Sequence, residues 1–205
     1  MRLVVVGASG GTGRATVARA VAAGHHVTAV VRRAGAVATR PGPDVAVIPD
    51  LADGAALVDA VRGGDAVISA LGTAVKGPVS VCTEGIEAII GAMARCGVRR
   101  LVAVSAHGAA ESRDRSLYSL ALWAALPHKM RDKEGMEQAI RASGTDWTIV
   151  RPAALRDTPH TGRYRTGTDL RIRLTSAVGR DDLADFLLRE VTAPAYLRRT
   201  PRIAA

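Results

Sequence analysis

Short apolar runs rich in valine and isoleucine alternate along this chain with longer segments in which apolar residues recur every three or four positions. The first kind is typical of buried strands, and the second is typical of helices that pack one face on a sheet. Strands are predicted over 2–6, 26–31, 45–48, 65–71, 101–105, 147–150 and 170–174. Helices are predicted over 12–23, through 57–61, from 86 up to Gly97, over 118–126 and 129–143, and from 181 onward. This alternation predicts a parallel α/β sheet with right-handed crossovers.

The segments between these elements also carry predictions. Residues 34–44, rich in glycine and proline, predict a surface loop, and the polar run 111–116 predicts a mobile one. Asp53 is a candidate cap of the helix through 57–61, and Asp181 or Asp182 is a candidate cap of the last helix.

Three glycines spaced by two residues follow the first strand directly: Gly7, Gly10 and Gly13. A phosphate-binding turn needs a tight bend, a bare backbone where the anion approaches, and a helix N-terminus that faces it. The three glycines can supply these in turn, and a helix and a second strand follow them. This βαβ context predicts that the diphosphate of a dinucleotide binds over the turn.

The second strand ends in Arg32 and Arg33, with no acidic residue for a ribose 2′-hydroxyl. Two guanidinium groups suit a 2′-phosphate instead, so we predict NADPH or NADP as the cofactor. The alternative is that both arginines are solvated surface charges in an arginine-rich chain.

Ligands of doubly wound sheets bind outside the carboxyl ends of the strands, where the strand order reverses. This rule predicts one crevice that collects residues distant in sequence, namely the Gly7 turn, Arg32, Asp50, Gly72, Ser105 and Pro152. The 205 residues predict a single domain, 1–205, of the Rossmann type, in which 153–180 form a small substrate-side cap.

Composition argues against other function classes. The net charge of +9 arises almost wholly from arginines spread along the chain, without the basic, aromatic tract of a nucleic-acid-binding protein. Cys82 and Cys96 form neither a CxxC pair nor a set with histidines at metal-ligand spacing, so no metal is predicted. With no signal sequence and no apolar run near the ~18 residues of a membrane span, we expect a cytoplasmic protein without a membrane partner.

The chain resembles an atypical short-chain dehydrogenase/reductase, of the branch that includes NmrA-like proteins and the biliverdin-IXβ (flavin) reductases. The likeness covers nearly the whole chain. It is carried by Gly7-Ala8-Ser9-Gly10-Gly11-Thr12-Gly13, Val30-Val31-Arg32, Asp65-Ala66-Val67-Ile68, Leu71-Gly72-Thr73, Glu84-Gly85, Val104-Ser105-Ala106, Ser143-Gly144, Arg151-Pro152 and Thr161-Gly162.

The resemblance implies that Gly10 to Gly13 hold the diphosphate, Arg32 the 2′-phosphate and Leu71-Gly72 the nicotinamide ribose region. It places Ser105 beside the nicotinamide, as the candidate catalytic residue. The full set of candidate cofactor-binding residues is Gly7, Ser9, Gly10, Gly11, Thr12, Gly13, Arg32, Arg33, Asp50, Leu51, Ala70, Leu71, Gly72, Ser105 and Pro152.

One departure from the family matters for the chemistry. Typical short-chain enzymes use Tyr-x-x-x-Lys to protonate an alkoxide, whereas this chain has Lys129-x-x-x-Lys133. We therefore predict an NADPH-dependent reductase of flavin-like, quinone-like or tetrapyrrole acceptors, whose conjugated systems take hydride without a side-chain acid. The alternative is a non-catalytic NADP-sensing regulator of the NmrA-like type.

Three points stay open in the sequence. His107 is either a polar wall of the site or an idle surface residue. Lys133 either reaches the crevice or lies on a solvated helix face. We expect a monomer or a weak homodimer.

Overall fold

The valine- and isoleucine-rich runs form the central sheet of the protein. The computed structural model describes residues 1–37, 42–75 and 77–205. The main strands are β1 (Arg2–Val6), β2 (His26–Val31), β3 (Asp44–Val47), β4 (Ala66–Ser69), β5 (Arg100–Val104) and β6 (Asp146–Pro152). Shorter strands follow: β7 (Ala154–Arg156), β8 (Arg165–Gly167), β9 (Ala177–Gly179) and β10 (Arg202–Ala204).

The strand order in the large sheet is β3-β2-β1-β4-β5-β6-β10-β8. Every neighbouring pair in it is parallel except β10 with β8. β7 and β9 form a separate parallel pair. The order of the first six strands is that of a Rossmann-type doubly wound sheet, and it reverses between β1 and β4. The predicted fold class is therefore confirmed.

Helices cover both faces of this sheet. They are α1 (Gly11–Ala22), α2 (Gly54–Val61), α3 (Val81–Cys96), α4 (Leu117–Ala125), α5 (Pro127–Ala142) and α6 (Arg180–Thr192). α1 and α6 pack together on one face, while α2, α3 and α5 pack on the other. Neighbouring strand residues point to opposite faces, so Val5 belongs to the first core and Val4 to the second.

The ends of two helices follow the sequence signals. Asp53 caps α2, because its carboxylate accepts a hydrogen bond from the Ala56 N–H at 3.1 Å. Gly97 ends α3 in the left-handed conformation, with φ of 70°.

The predicted cap of α6 is wrong. Gly179 precedes that helix, and Asp181 and Asp182 lie inside its first turn. The Asp182 carboxylate instead accepts hydrogen bonds from the backbone N–H groups of Thr161 and Gly162, at 2.9 Å each. The acid therefore fixes the loop that carries Thr161-Gly162.

The predicted strand over 170–174 is also absent from the described residues. Ile172 alone of this segment is buried, in a small cluster with Ala153 and Ala204, and Leu174 is exposed. The strand next to β6 is β10, whose three residues were too short a pattern to predict.

The polar run 111–116 is a loop only in part. It begins within a short 3₁₀ helix, Ala110–Ser112, and ion pairs hold Glu111 against Arg141 and Arg151. The predicted loop 34–44 ends one residue early, because Asp44 starts β3, and its residues 38–41 lie outside the described part of the chain.

Candidate functional site

The turn after β1 has the geometry that a bound diphosphate requires. Gly7 has φ of +79°, and a Cβ there would lie 2.8 Å from the Ala70 carbonyl oxygen at the end of β4. A Cβ on Gly13 would lie 2.1 Å from the carbonyl oxygen of Gly7, so only glycine lets α1 pack this close to the turn. Gly10 is the N-cap residue of α1, and no side chain of the described residues caps this helix with a hydrogen bond. The first turn of α1 also has no acidic residue. The N-terminus of α1 thus offers its N–H groups and positive dipole end to an anion.

A cleft of about 300 Å³ opens beside this turn, at the point where the strand order reverses. The prediction of one crevice is confirmed for the residues that come from β1, β2 and β4. The predicted cofactor-binding residues that line it are Gly7, Ser9, Gly10, Arg32, Leu51, Ala70, Leu71 and Gly72.

Arg32 lies where the cleft continues into a second groove, which it shares with Asp50 and Leu51. Asp50 is held in a turn because its carboxylate accepts a hydrogen bond from the Ala52 N–H at 2.9 Å. Arg32 and Arg33 are both exposed, but only Arg32 belongs to the described lining of the two grooves. The pairing of Arg32 with a 2′-phosphate stays a prediction.

The wall of the cleft at Leu71 is fixed by close packing. Leu71 lies over Gly85 of α3, where an added Cβ would come within 2.5 Å of the Leu71 Cδ1. The Leu71 carbonyl oxygen accepts a hydrogen bond from the Lys133 ammonium at 2.9 Å. A second bond, at 2.7 Å, joins this ammonium to the Val104 carbonyl oxygen. Lys133 therefore reaches the carboxyl ends of β4 and β5 and does not lie on a solvated helix face.

Ser105 lies directly after β5, and its side chain belongs to a buried ionic network. Its hydroxyl donates to the Glu137 carboxylate at 2.6 Å, and the same carboxylate pairs with the Arg151 guanidinium. The Glu137 and Arg151 side chains are each 1% exposed. Burial lowers the pKa of Arg151, but the hydrogen bonds that its guanidinium donates to Glu137 and Glu111 outweigh that effect and raise the pKa overall. The structure thus orients the Ser105 hydroxyl rigidly, with its proton committed to Glu137.

Pro152 ends β6 and is buried. Its carbonyl oxygen accepts a hydrogen bond from the His107 N–H at 3.0 Å, which joins the ends of β5 and β6. Neither Ser105 nor Pro152 belongs to the described lining of the cleft or of the second groove. Their role beside the nicotinamide remains a prediction.

The expectation of a surface histidine at 107 is wrong. His107 is fully buried, its ring packs 5.4 Å from the ring of Tyr118, and neither ring nitrogen has a partner among the described residues. Burial, and next the positive charge of Arg202, lower the pKa of His107 to about 4. The imidazole is therefore neutral at physiological pH. Its small neighbours Ala106 and Gly108 gave no sign of this burial, because α4 covers the histidine through Tyr118.

Comparisons with known proteins agree with this geometry. A family model described as NAD(P)H-binding matches residues 7–194. The chain belongs to the NAD(P)H-binding family. This match confirms the predicted cofactor class. It also agrees with the resemblance to short-chain reductases, which bind the same class of cofactor. No cluster of metal-ligating residues and no helix able to span a membrane occurs in the described residues.

Three relatives illustrate the likeness. The UPF0659 protein YMR090W of Saccharomyces cerevisiae is 28% identical, covering 98% of this chain and 91% of that protein. The solved structure of ChuY, described as an anaerobillin reductase from Escherichia coli O157:H7, has a TM-score of 0.83 at 25% identity, covering 99% of this chain and 96% of that chain. A short-chain dehydrogenase/reductase from Veillonella parvula, solved with NADP, has a TM-score of 0.84 at 17% identity, covering 100% of this chain and 94% of that chain.

Proposed function

We propose that this protein is an NADPH-dependent reductase of a flat, conjugated acceptor such as a flavin, a quinone or a linear tetrapyrrole. The observation that carries the proposal is a single cleft whose lining includes both the glycine turn after β1 and Arg32. A family of NAD(P)H-binding proteins and a fold shared with an NADP complex support it.

Each part of the cleft would hold a different part of the dinucleotide. The turn from Gly10 to Gly13 would bind the diphosphate through backbone N–H groups, and Arg32 would pair with the 2′-phosphate. Leu51 would contact the adenine, and Leu71-Gly72 would bound the nicotinamide ribose. When bound, the reduced cofactor supplies a hydride, and one proton from water completes the two-electron reduction of the acceptor.

The residues at the ends of β4 and β5 would set the orientation of the reactants. Lys133 places a positive charge there, and the carbonyl groups it binds fix the position of that charge. Ser105 would act as a positioning residue, since its hydroxyl proton is already donated to Glu137. We infer that the protein accelerates hydride transfer mainly by holding two flat molecules in register.

The tyrosines give the main argument for conjugated acceptors. Lys129 stands where typical short-chain enzymes have their tyrosine. The Tyr164 hydroxyl donates to Asp185 at 2.6 Å, and the Tyr196 hydroxyl is hydrogen-bonded to Thr166 at 3.2 Å. Burial raises the pKa of Tyr118, so this phenol is a poor acid. An acceptor that spreads the incoming charge over a conjugated system needs none of these groups as a proton donor.

The acceptor class can be tested by following NADPH oxidation with FMN, riboflavin, menadione and biliverdin. ChuY, described as an anaerobillin reductase, supports including a tetrapyrrole in this set. We expect turnover with at least one of the four and little with simple ketones. Tight NADP binding without turnover of any acceptor would refute the reductase proposal and favour the NADP-sensing regulator, which the buried positions of Ser105 and His107 would also suit.

A further inference from the structure

A cation from the far end of the chain lies over the start of α1. Arg180 is the first residue of α6, and Gly11 is the first residue of α1. A Cβ added to Gly11 would lie 2.7 Å from the Arg180 Nε and 2.8 Å from its Cδ. A side chain at position 11 would therefore have to displace this arginine.

Although α6 has two acids in its first turn, Asp181 and Asp182, the ion-pair partner of Arg180 among the described residues is the exposed Asp157. The start of α1 carries the positive end of the helix dipole, and its first turn has no acid. The Arg180 guanidinium pairs with the Asp157 carboxylate at 2.7 Å, but that carboxylate is 86% exposed. An ion pair with so exposed a partner contributes little stability and exchanges readily. Two positive elements thus meet at one point, next to the predicted diphosphate position.

We propose that Arg180 is an additional ligand of the cofactor diphosphate, contributed by the substrate-side cap. Asp157 follows β7 and Arg180 follows β9, and these two strands pair with each other. Asp157 holds the guanidinium near Gly11 until an anion replaces the carboxylate. Binding of the dinucleotide and the position of the cap are thereby coupled. This inference rests on the proposed cofactor site and extends it.

The diphosphate is common to NADP and NAD, whereas the 2′-phosphate is not. Loss of Arg180 should therefore weaken both dinucleotides equally. Loss of Arg32 should weaken the binding of NADP far more than that of NAD. 2′-AMP has the 2′-phosphate but no diphosphate, so its affinity should not depend on Arg180.

The test is calorimetric titration of Arg180→Ala and Arg180→Lys with NADP, NAD and 2′-AMP. A lost charge-assisted hydrogen bond should raise the Kd of both dinucleotides about 10- to 100-fold in Arg180→Ala and leave 2′-AMP binding unchanged. Arg180→Lys should recover part of the loss. Arg189→Ala is the matched control, since it removes an arginine with a 67% exposed side chain from the other end of α6. This control should bind all three ligands like the wild type.

Two results would overturn the proposal while the wild type binds NADP. One is an unchanged dinucleotide Kd in Arg180→Ala. The other is an equal loss for 2′-AMP, which would indicate a general disturbance of the fold. Failure of the wild-type protein to bind any dinucleotide would instead overturn the proposed function together with this inference.

Discussion

The buried pair between Glu137 and Arg151 leads to a quantitative prediction about stability. Each side chain is 1% exposed, and the Ser105 hydroxyl donates to the same carboxylate. Glu137→Gln keeps the size of the side chain but removes its charge. Arg151 then keeps only its pair with Glu111, whose side chain is 55% exposed. Breaking a buried pair by removing one partner costs about 3–5 kcal/mol, because the other charge stays desolvated.

We expect Glu137→Gln to lower the free energy of unfolding by about 3 kcal/mol, since the amide oxygen still accepts one hydrogen bond. For a chain of this size that corresponds to a fall in Tm of about 6–12 °C. Urea unfolding followed by circular dichroism measures the first quantity, and a thermal scan measures the second. The matched control is Arg62→Ala, which breaks an ion pair between side chains 69% and 73% exposed.

The control should unfold at the wild-type urea concentration within error. If Glu137→Gln is also indistinguishable from the wild type, the network does not hold the end of β5. Ser105 would then not be a rigidly positioned residue.

Two further predictions concern Gly13 and His107. Gly13→Ala should abolish NADP binding in calorimetry, because its Cβ would lie 2.1 Å from the Gly7 carbonyl oxygen, whereas Gly91→Ala, with nothing within 4 Å, should bind normally. Normal binding by Gly13→Ala would contradict the observed packing of the turn. The unfolded chain protonates His107 below its ordinary pKa of 6.5, but the folded protein does so only near 4, so stability should fall by about 2–3 kcal/mol as the pH drops through this range. Urea unfolding at pH 7 and pH 4.5 measures this loss, and in His107→Phe it should be missing. If the variant loses as much stability between the two pH values as the wild type, the imidazole is solvated in the folded protein.

The sheet and its ligand-binding turn were predictable because their signals are local. A run of β-branched residues predicts a strand that is covered on both faces. The need for glycine at position 7 arises within a single turn, so neighbouring residues suffice to predict it. The reversal of strand order between β1 and β4 then follows from topology rules, which predict from the sequence alone that Arg32 and Gly72 share one cleft.

The parts that the sequence did not reveal depend on contacts between distant residues. β10, which pairs with β6, has only three residues, too few to show a period. The small neighbours of His107 suggest a surface position, but in the structure α4 covers this residue. The bond from Ser105 to Glu137 and the approach of Arg180 to Gly11 join residues far apart in the chain, and no spacing pattern records such a pair.

The central claim is that the cleft binds a phosphorylated dinucleotide, with Arg32 recognising the 2′-phosphate. Calorimetric titration of the folded protein with NADP and NAD, repeated on Arg32→Asp, tests it most directly. We predict that the wild type binds NADP more tightly than NAD. In Arg32→Asp the Kd for NADP should rise about 10- to 100-fold, and the Kd for NAD should change far less. No heat with either dinucleotide, or equal losses for both in the variant, would contradict the account.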